Sequence, residues 1–366
     1  MHHSRTRRSV LAAVICLSFW PMAGARGEAT LPGEALSAAE RTFTSRPGET
    51  RALLVWQDGM LLHERYGAGF GPATRLVSWS AAKSVLATAL AILVSEGRID
   101  LDRAPPVAAW RRPGDPRAAI TVRHLLTMTS GLDHREGTER GQPIETADTV
   151  RMLFAEGALD TAAYAAARPL AHPPGTVWKY STGTSQILAD IVARAITSAT
   201  DPDIRRRETA QWFHTRIFEP IGIESARWDY DAAGLFLGGS LLHMTAPDYL
   251  RLGRLFLDRG RTQDGRHILS ESSVDLLTTR AAAANNRNYA GHVWVNDLPA
   301  AGQPNAMFNP RGGAGTFAMI GHLGQFVIVV PEKRAVIVRL GRTANKDRPA
   351  LRDELGALID ALPKPR

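Results

Sequence analysis

The sequence predicts an α+β fold: an antiparallel sheet built from both ends of the chain, flanked by helices, with a largely helical insertion between. Three observations predict it. Near the start, ALLVW (52–56) and MLLHERY (60–66) flank Asp58-Gly59, a hairpin signal. Near the end, FVIVV (326–330) and AVIVRL (335–340) flank Pro331-Glu332-Lys333-Arg334 and read as a central hairpin. Between them the pattern is mostly helical and broken by Gly/Pro loops, so one sheet assembled from both termini is the economical arrangement.

The elements follow in order. Residues 1–25 read as a signal peptide: MHHSRTRR is basic, SVLAAVICLSFWPMAG is apolar, and Ala23-Gly24-Ala25 offers a cleavage site. Export to the periplasm or medium is expected, by the Sec route or, since Arg7-Arg8 loosely fits it, the twin-arginine route. No later run is long enough to span a membrane. Glu34 to Ser45 has the composition of an amphipathic helix, and the long apolar run VLATALAILV (85–94) that of a buried one. Helices are expected over Asp148 to Gly157, Ser185 to Thr197, Glu208 to Phe218, Ala246 to Gly260 and Ser270 to Thr279. A last helix, Ala350 to Leu362, carries Leu351, Leu355, Leu358 and Ile359 on one face to cover the sheet. The domain at 26–366 thus divides into an α/β part (about 30–125 and 285–366) and a helical part (about 126–284).

Composition narrows the chemistry. The only cysteine, Cys16, lies in the leader, so the exported chain has no disulfide, thiol nucleophile or thiolate metal site. Eleven histidines show no HExxH or other metal spacing, and neither metal nor cofactor is expected. The formal charge is +8, of which Arg5, Arg7 and Arg8 leave with the leader, giving +5. The remaining arginines are scattered among acids, as on a solvated surface rather than a nucleic-acid site. Nothing in the pattern speaks to oligomeric state.

Three stretches carry possible chemistry. In Ser80-Ala81-Ala82-Lys83, positions i and i+3 of a helix share a face, with β-carbons about 5–6 Å apart. Hydroxyl and amine would meet as nucleophile and base, the amine activated by apolar surroundings that lower its pKa. The helix N-terminus would offer the Ser80 N–H as half of an oxyanion hole. Taken alone, such a tetrapeptide reads as an N-cap serine and a surface lysine. Next, Tyr180 in PGTVWKYSTG (174–183) lies at a loop apex before a helix; its phenol would relay a proton if the Lys83 ammonium lowered its pKa. Third, Gly321-His322-Leu323-Gly324-Gln325 opens the strand at 326, where glycine allows close backbone approach and the Gln325 N–H would complete the oxyanion hole.

In this order the motifs resemble the serine β-lactamase and penicillin-binding superfamily, closest to its class C-like branch of esterases, D-aminopeptidases, D,D-carboxypeptidases and 6-aminohexanoate-dimer hydrolases. That family runs S-x-x-K, then Y-x-N or a variant, then K-T-G or H-x-G; this chain has Ser80 to Lys83, Tyr180-Ser181-Thr182 and His322-Leu323-Gly324. ITVRHLLTMTSGLD (120–133) and GGSLLHMTAPDYLRLGRLFLDRG (238–260) match as well, so the resemblance covers essentially 34–362. It implies a β-lactamase/transpeptidase-like fold and an acyl-enzyme at Ser80, with Lys83 and Tyr180 sharing the proton work. The choice of general base between them stays open. The backbone N–H groups of Ser80 and Gln325 would form the oxyanion hole, with Thr182, His322 and Gly324 contacting substrate. Ser84 is expected to pack or bond locally, Tyr289 and Trp294 to line or support the pocket, and His124 to be structural.

Thr182 stands where lactamases carry asparagine, and His322 replaces the lysine that helps hold substrate carboxylates. A histidine is mostly neutral at pH 7. Together with the lack of Glu-x-x-Leu-Asn and Ser-Asp-Asn stretches, this favours small esters or linear amides over efficient penicillin hydrolysis. A D,D-carboxypeptidase, penicillin-binding protein or weak β-lactamase is the alternative, with Arg311 or another basic group replacing the lysine. A non-catalytic binder of cell-wall ligands is the alternative of another class. Arg311-Gly312-Gly313-Ala314-Gly315-Thr316 reads as a flexible loop beside the site, not a phosphate loop.

Overall fold

The two ends of the chain meet in one six-stranded sheet. The computed structural model describes residues 30–365 apart from 47, 138–141, 287, 297–306 and 309; the leader, its cleavage site and Cys16 lie outside the described residues. Helix α1 (Gly33–Thr44) leads into strands β1 (Thr50–Gln57) and β2 (Met60–Tyr66). Asp58 and Gly59 turn between them with φ of 49° and 92°, the two left-handed residues that a two-residue hairpin requires. Strand β3 (Arg75–Val77), helices α2 (Ala82–Ser95), α3 (Val122–Leu126), α4 (Asp148–Phe154), α5 (Thr161–Ala166), α6 (Thr182–Ile196) and α7 (Pro202–Phe213), strands β4 (Arg227–Trp228) and β5 (Leu242–Thr245), and helices α8 (Ala246–Leu257) and α9 (Glu271–Thr278) follow. The chain closes with β6 (Trp294–Val295), β7 (Phe317–Gly321), β8 (Gln325–Val330), β9 (Ala335–Gly341) and α10 (Arg348–Ala361).

The main sheet has the order β2-β1-β9-β8-β7-β6, antiparallel throughout. β1 beside β9 stitches the termini together, with Leu53 opposite Arg339 and Val55 opposite Ile337. Strand alternation then sorts the side chains. Leu53, Val55, Phe326, Ile328 and Ile337 pack under α1 and α10 against Leu351, Leu355 and Leu358. Leu54, Trp56, Val327, Val329, Val336 and Val338 face the core that holds α2 and α8. Strands covered on both faces need apolar residues on both, which is why their sequences read as nearly continuous apolar runs, broken in β9 by the buried Arg339. α2 is the central post: every residue from Ala82 to Leu93 is buried, so its sequence shows no polar stripe.

The expected elements are present with shifted ends. α6 begins at Thr182 rather than Ser185 because the Ser181 hydroxyl caps the Thr184 N–H at 3.0 Å, which draws Thr182 into the first turn. α7 begins earlier, at Pro202, capped by Asp201, and passes into a π turn over His214–Phe218. The three-stranded sheet β3-β5-β4 and strand β7 have too few residues to show a period in the sequence. The loop at 311–316, expected to be flexible and beside the site, is instead fastened: Arg311 pairs with Asp353 at 3.0 Å and Asp360 at 3.3 Å, and the Asn296 amide donates to the Arg311 and Gly313 carbonyls, both at 2.9 Å. The ion pairs fasten it to α10, on the sheet face opposite α2, and the amide to the segment after β6.

Candidate active site

The site is built around a strained turn ahead of α2. Trp79 has φ of 44°, a left-handed backbone that costs a bulky residue about 1–3 kcal/mol. Its neighbour Ser78 holds it there. The Ser78 hydroxyl donates to the Trp79 carbonyl at 2.8 Å or the Ser240 carbonyl at 3.0 Å and accepts from the Leu242 N–H at 3.1 Å, while the Ser78 N–H donates to the Leu242 carbonyl at 2.7 Å. The turn continues as a 3-10 helix over Trp79–Ala81 into α2, so Ser80 lies at a helix start whose first N–H groups have no intrahelical partner.

Lys83, one turn on, is 1% exposed. Its Nζ lies 3.1 Å from Ser80 Oγ, 2.9 Å from Thr182 Oγ1 and 2.5 Å from the Gly239 carbonyl. Burial lowers its pKa from 10.5 to about 8, against the opposing charge of Glu136. The i,i+3 expectation for Ser80 and Lys83 therefore describes the geometry found.

Tyr180 stands over the same amine, its ring centroid 4.9 Å from Nζ, and its hydroxyl interacts with Ser80. Its ring stacks on Trp294 at 5.5 Å and meets Tyr289 edge-on at 5.6 Å, so both aromatics support Tyr180. The expectation that Lys83 would lower the phenol's pKa is not met. Burial raises it, Glu136 raises it further, and the Ser80 hydrogen bond opposes them only in part. Tyr180 is thus a protonated phenol, a donor rather than a tyrosinate.

Three sequence assignments change. Thr182, expected to contact substrate, is 1% exposed and links Lys83 to Glu136, whose carboxylate accepts from Thr182 Oγ1 at 2.5 Å and Thr182 N at 2.6 Å. Gly324, also expected at the substrate, is a turn residue with φ of 83° whose carbonyl accepts from Arg339 at 2.8 Å. Gln325, expected to complete the oxyanion hole, pairs with Gly321 across the β7–β8 hairpin, and its side-chain amide bonds both the Gly341 carbonyl at 2.7 Å and the Gly341 N–H at 3.0 Å.

The strand next to Ser80 is β7, which sequence reading missed. Gly321 backs directly onto the turn that holds Ser80: a Cβ there would sit 2.1 Å from the Ser78 carbonyl oxygen. The Asn296 N–H donates to the Thr316 carbonyl across the β6 side of β7 at 2.7 Å. Backbone groups alternate sides along a strand, so the Gly321 carbonyl turns the other way, toward Gln325. In a planar trans peptide the following N–H points opposite to that carbonyl. The His322 N–H is therefore turned away from the β7–β8 pairing in which Gln325 is held. The His322 ring is exposed at the hairpin tip and meets Trp79 edge-on at 5.4 Å. Its pKa is lowered by desolvation and then by Arg348, so the imidazole is neutral at pH 7.

Two residues escaped the sequence reading. Glu136 is one of three acids in DHREGTE (133–139), and no local pattern marks it out. His292 is fully enclosed, its Nδ1 2.8 Å from the Leu126 carbonyl and its Nε2 3.0 Å from Ser185 Oγ; burial, aided by Lys83, lowers its pKa to about 3, leaving it neutral and structural. Its carbonyl accepts from Ser84 Oγ at 2.7 Å, so Ser84 braces a distant segment instead of bonding locally. His124 closes a capping box with Thr121 at the start of α3, a structural role as expected.

Known proteins share this framework. The chain is 25% identical over 304 residues to 6-aminohexanoate-dimer hydrolase of Paenarthrobacter ureafaciens, covering 81% of this chain and 74% of that one. It is 27% identical over 284 residues to penicillin-binding protein 4 of Amycolatopsis lactamdurans, covering 67% and 68%. Among solved structures, EstCE1, a hydrolase with promiscuous acyltransferase activity, superposes with a TM-score of 0.64 at 16% identity, over 90% of this chain and 97% of that one. Residues 39–361 match the Beta-lactamase family, and the chain belongs to that family of hydrolases.

Proposed function

We propose that the chain is an exported serine hydrolase that cleaves small esters or linear amides through an acyl-enzyme at Ser80. The observation that carries this reading is the 3.1 Å approach of Lys83 Nζ to Ser80 Oγ in surroundings that bring the lysine to about 8. Ser80 Oγ attacks the acyl carbon as its proton passes to a neighbouring base, and the N–H groups of Ser80 and His322 receive the developing oxyanion. The leaving group departs with a proton delivered through the Tyr180 phenol. Water then attacks the Ser80 ester, a proton returns to Ser80 Oγ, and the acid product leaves. The name of the 6-aminohexanoate-dimer hydrolase agrees with linear amides, and the neutral His322 weakens any pull on a substrate carboxylate. Ser80, Lys83 and Tyr180 together argue against a purely binding role, which would require none of them.

A second reading, a D,D-carboxypeptidase or weak β-lactamase, draws on Arg348. Arg311 is engaged by α10, but Arg348 in the first turn of α10 acts on His322, and Leu351 one turn on packs against Gly324 of the same hairpin. Side-by-side turnover of p-nitrophenyl butyrate, a linear aminohexanoate dimer, a D-Ala-D-Ala peptide and nitrocefin separates the two. Ester or linear-amide turnover with little nitrocefin cleavage supports the first; fast nitrocefin or D-Ala-D-Ala cleavage supports the second. No turnover, with no fluorophosphonate labelling of Ser80, removes both.

A further inference from the structure

A neutral lysine amine has two N–H bonds and one lone pair, and three oxygen atoms surround that of Lys83. The Gly239 carbonyl at 2.5 Å can only accept, so it takes one N–H. Thr182 Oγ1 at 2.9 Å can donate or accept, and its choice decides where the lone pair goes. Glu136 makes that choice. A carboxylate accepts only; one oxygen receives the Thr182 backbone N–H at 2.6 Å and the other the Thr182 hydroxyl at 2.5 Å. With its proton held by Glu136, Thr182 Oγ1 presents a lone pair to Lys83 and takes the second N–H. The amine's own lone pair is left for Ser80 Oγ.

We propose that Glu136 is a positioning residue for acylation: through Thr182 it aims the lone pair of neutral Lys83 at Ser80, making Lys83, rather than Tyr180, the group that takes the Ser80 proton. The inference rests on the reading of Ser80 as nucleophile. The step balances. The Ser80 Oγ electron pair forms the bond to the acyl carbon, its proton moves to Nζ, and the resulting ammonium has three N–H bonds for the three oxygens already in place. Glu136 is itself held from a third element, since Thr149 Oγ1 on α4 donates to it at 3.0 Å, and His134 Nε2 lies 2.9 Å from the same hydroxyl. The other titratable groups around the pair are Tyr180, Tyr289, His134 and His292. Burial raises the two tyrosines and lowers the two histidines, which leaves Lys83 as the group that titrates near pH 8.

The test is the pH dependence of kcat and kcat/KM on p-nitrophenyl butyrate for wild type, Glu136→Gln, Glu136→Asp, Thr182→Val, Thr182→Ser and the double variant Glu136→Gln/Thr182→Val, with fluorophosphonate labelling and thermal melts alongside. In Glu136→Gln the amide oxygen must serve the Thr182 N–H, so the amide NH2 faces Thr182 Oγ1 and turns that hydroxyl's proton toward Lys83. A loss of about 100-fold in kcat is expected, the scale of a proton-transfer group put out of line. The acid limb should move to lower pH, because removing a negative charge lowers the lysine pKa. Thr182→Val should lose a similar factor, Thr182→Ser and Glu136→Asp should recover part of it, and the double variant should be no worse than the poorer single one, as for residues acting in one chain. Folded Glu136→Gln protein with kcat within a few-fold of wild type and an unmoved limb overturns the proposal. So does Thr182→Val with near-normal kcat, an arm that holds even if Glu136→Gln does not fold. An active wild type with either result leaves Ser80 as nucleophile and removes only Glu136; a wild type that neither turns over ester nor labels at Ser80 overturns both.

Discussion

Adding one methyl group at Gly321 should disable the site without unfolding the protein. The Cβ of an alanine there would lie 2.1 Å from the Ser78 carbonyl oxygen, where real Cβ atoms keep at least 3.0 Å, so something must yield by about 0.9 Å. The Ser78 side of the contact resists, being bonded to the Leu242 carbonyl at 2.7 Å and the Ala81 N–H at 3.2 Å. The edge of β7 at its hairpin end is therefore the part that moves, carrying the His322 N–H away from Ser80. A misplacement of this size costs about 100-fold, and loss of one oxyanion donor about 100- to 1,000-fold. We expect Gly321→Ala to lose about 100-fold in kcat/KM on p-nitrophenyl butyrate, mostly in kcat, while remaining folded because β7 keeps its pairing with β8. Gly71→Ala, where an added Cβ meets nothing within 4 Å, is the control. A Gly321→Ala enzyme within three-fold of wild type would falsify both the close packing of β7 on the nucleophile turn and the assignment of His322 to the oxyanion hole.

Three further outcomes are expected. Ser80→Ala, Lys83→Ala and Tyr180→Phe should each lose at least ~100-fold in turnover, the scale of a nucleophile or proton-transfer group; near-normal Tyr180→Phe would take Tyr180 out of the mechanism. Because Lys83 acts as a neutral amine and burial brings it from 10.5 to about 8, kcat/KM should rise with pH and level off above about 8. A limb still rising at pH 10 in steady-state assays would mean an unperturbed lysine. His322→Lys, which puts a cation beside Arg348, should lower KM for substrates with a terminal carboxylate and leave neutral esters unchanged; equal KM values for charged substrates in the two enzymes would mean that His322 does not face that group.

The fold was legible where physics acts locally. Hairpins at 58–59 and 331–334 follow from turn chemistry, and the nearly continuous apolar runs of β8, β9 and α2 follow from burial on every side. Ser80 and Lys83 were legible because one helical turn separates them. What the sequence hid depends on contacts between distant segments. β7 has only five residues and follows a glycine-rich loop, so neither period nor length separates it from that loop. With β7 missing, the expected oxyanion donor fell on Gln325, whose backbone pairs with Gly321 across the β7–β8 hairpin. The left-handed turn at Trp79 has no local signal either, since a bulky residue is the last that propensity would place there.

Thr182 carries the sharper lesson. As a departure from the family's asparagine it read as a change in substrate preference. In the fold it is buried and reaches no open space, because Lys83 lies on one side and Glu136 on the other. An asparagine amide can donate and accept at once without help, whereas a hydroxyl's single proton can point either way. A threonine here therefore requires a neighbour that fixes its direction, and among the described residues the hydroxyl's acceptor is the Glu136 carboxylate, 46 residues earlier in the chain. The two positions form one functional unit in this proposal: the half-buried Glu136 fixes the direction of the Thr182 hydroxyl, and without the glutamate that hydroxyl leaves the base unaimed. Replacing Thr182 by asparagine should accordingly make Glu136 dispensable, so that Glu136→Gln costs far less in the Thr182→Asn background than in the wild type.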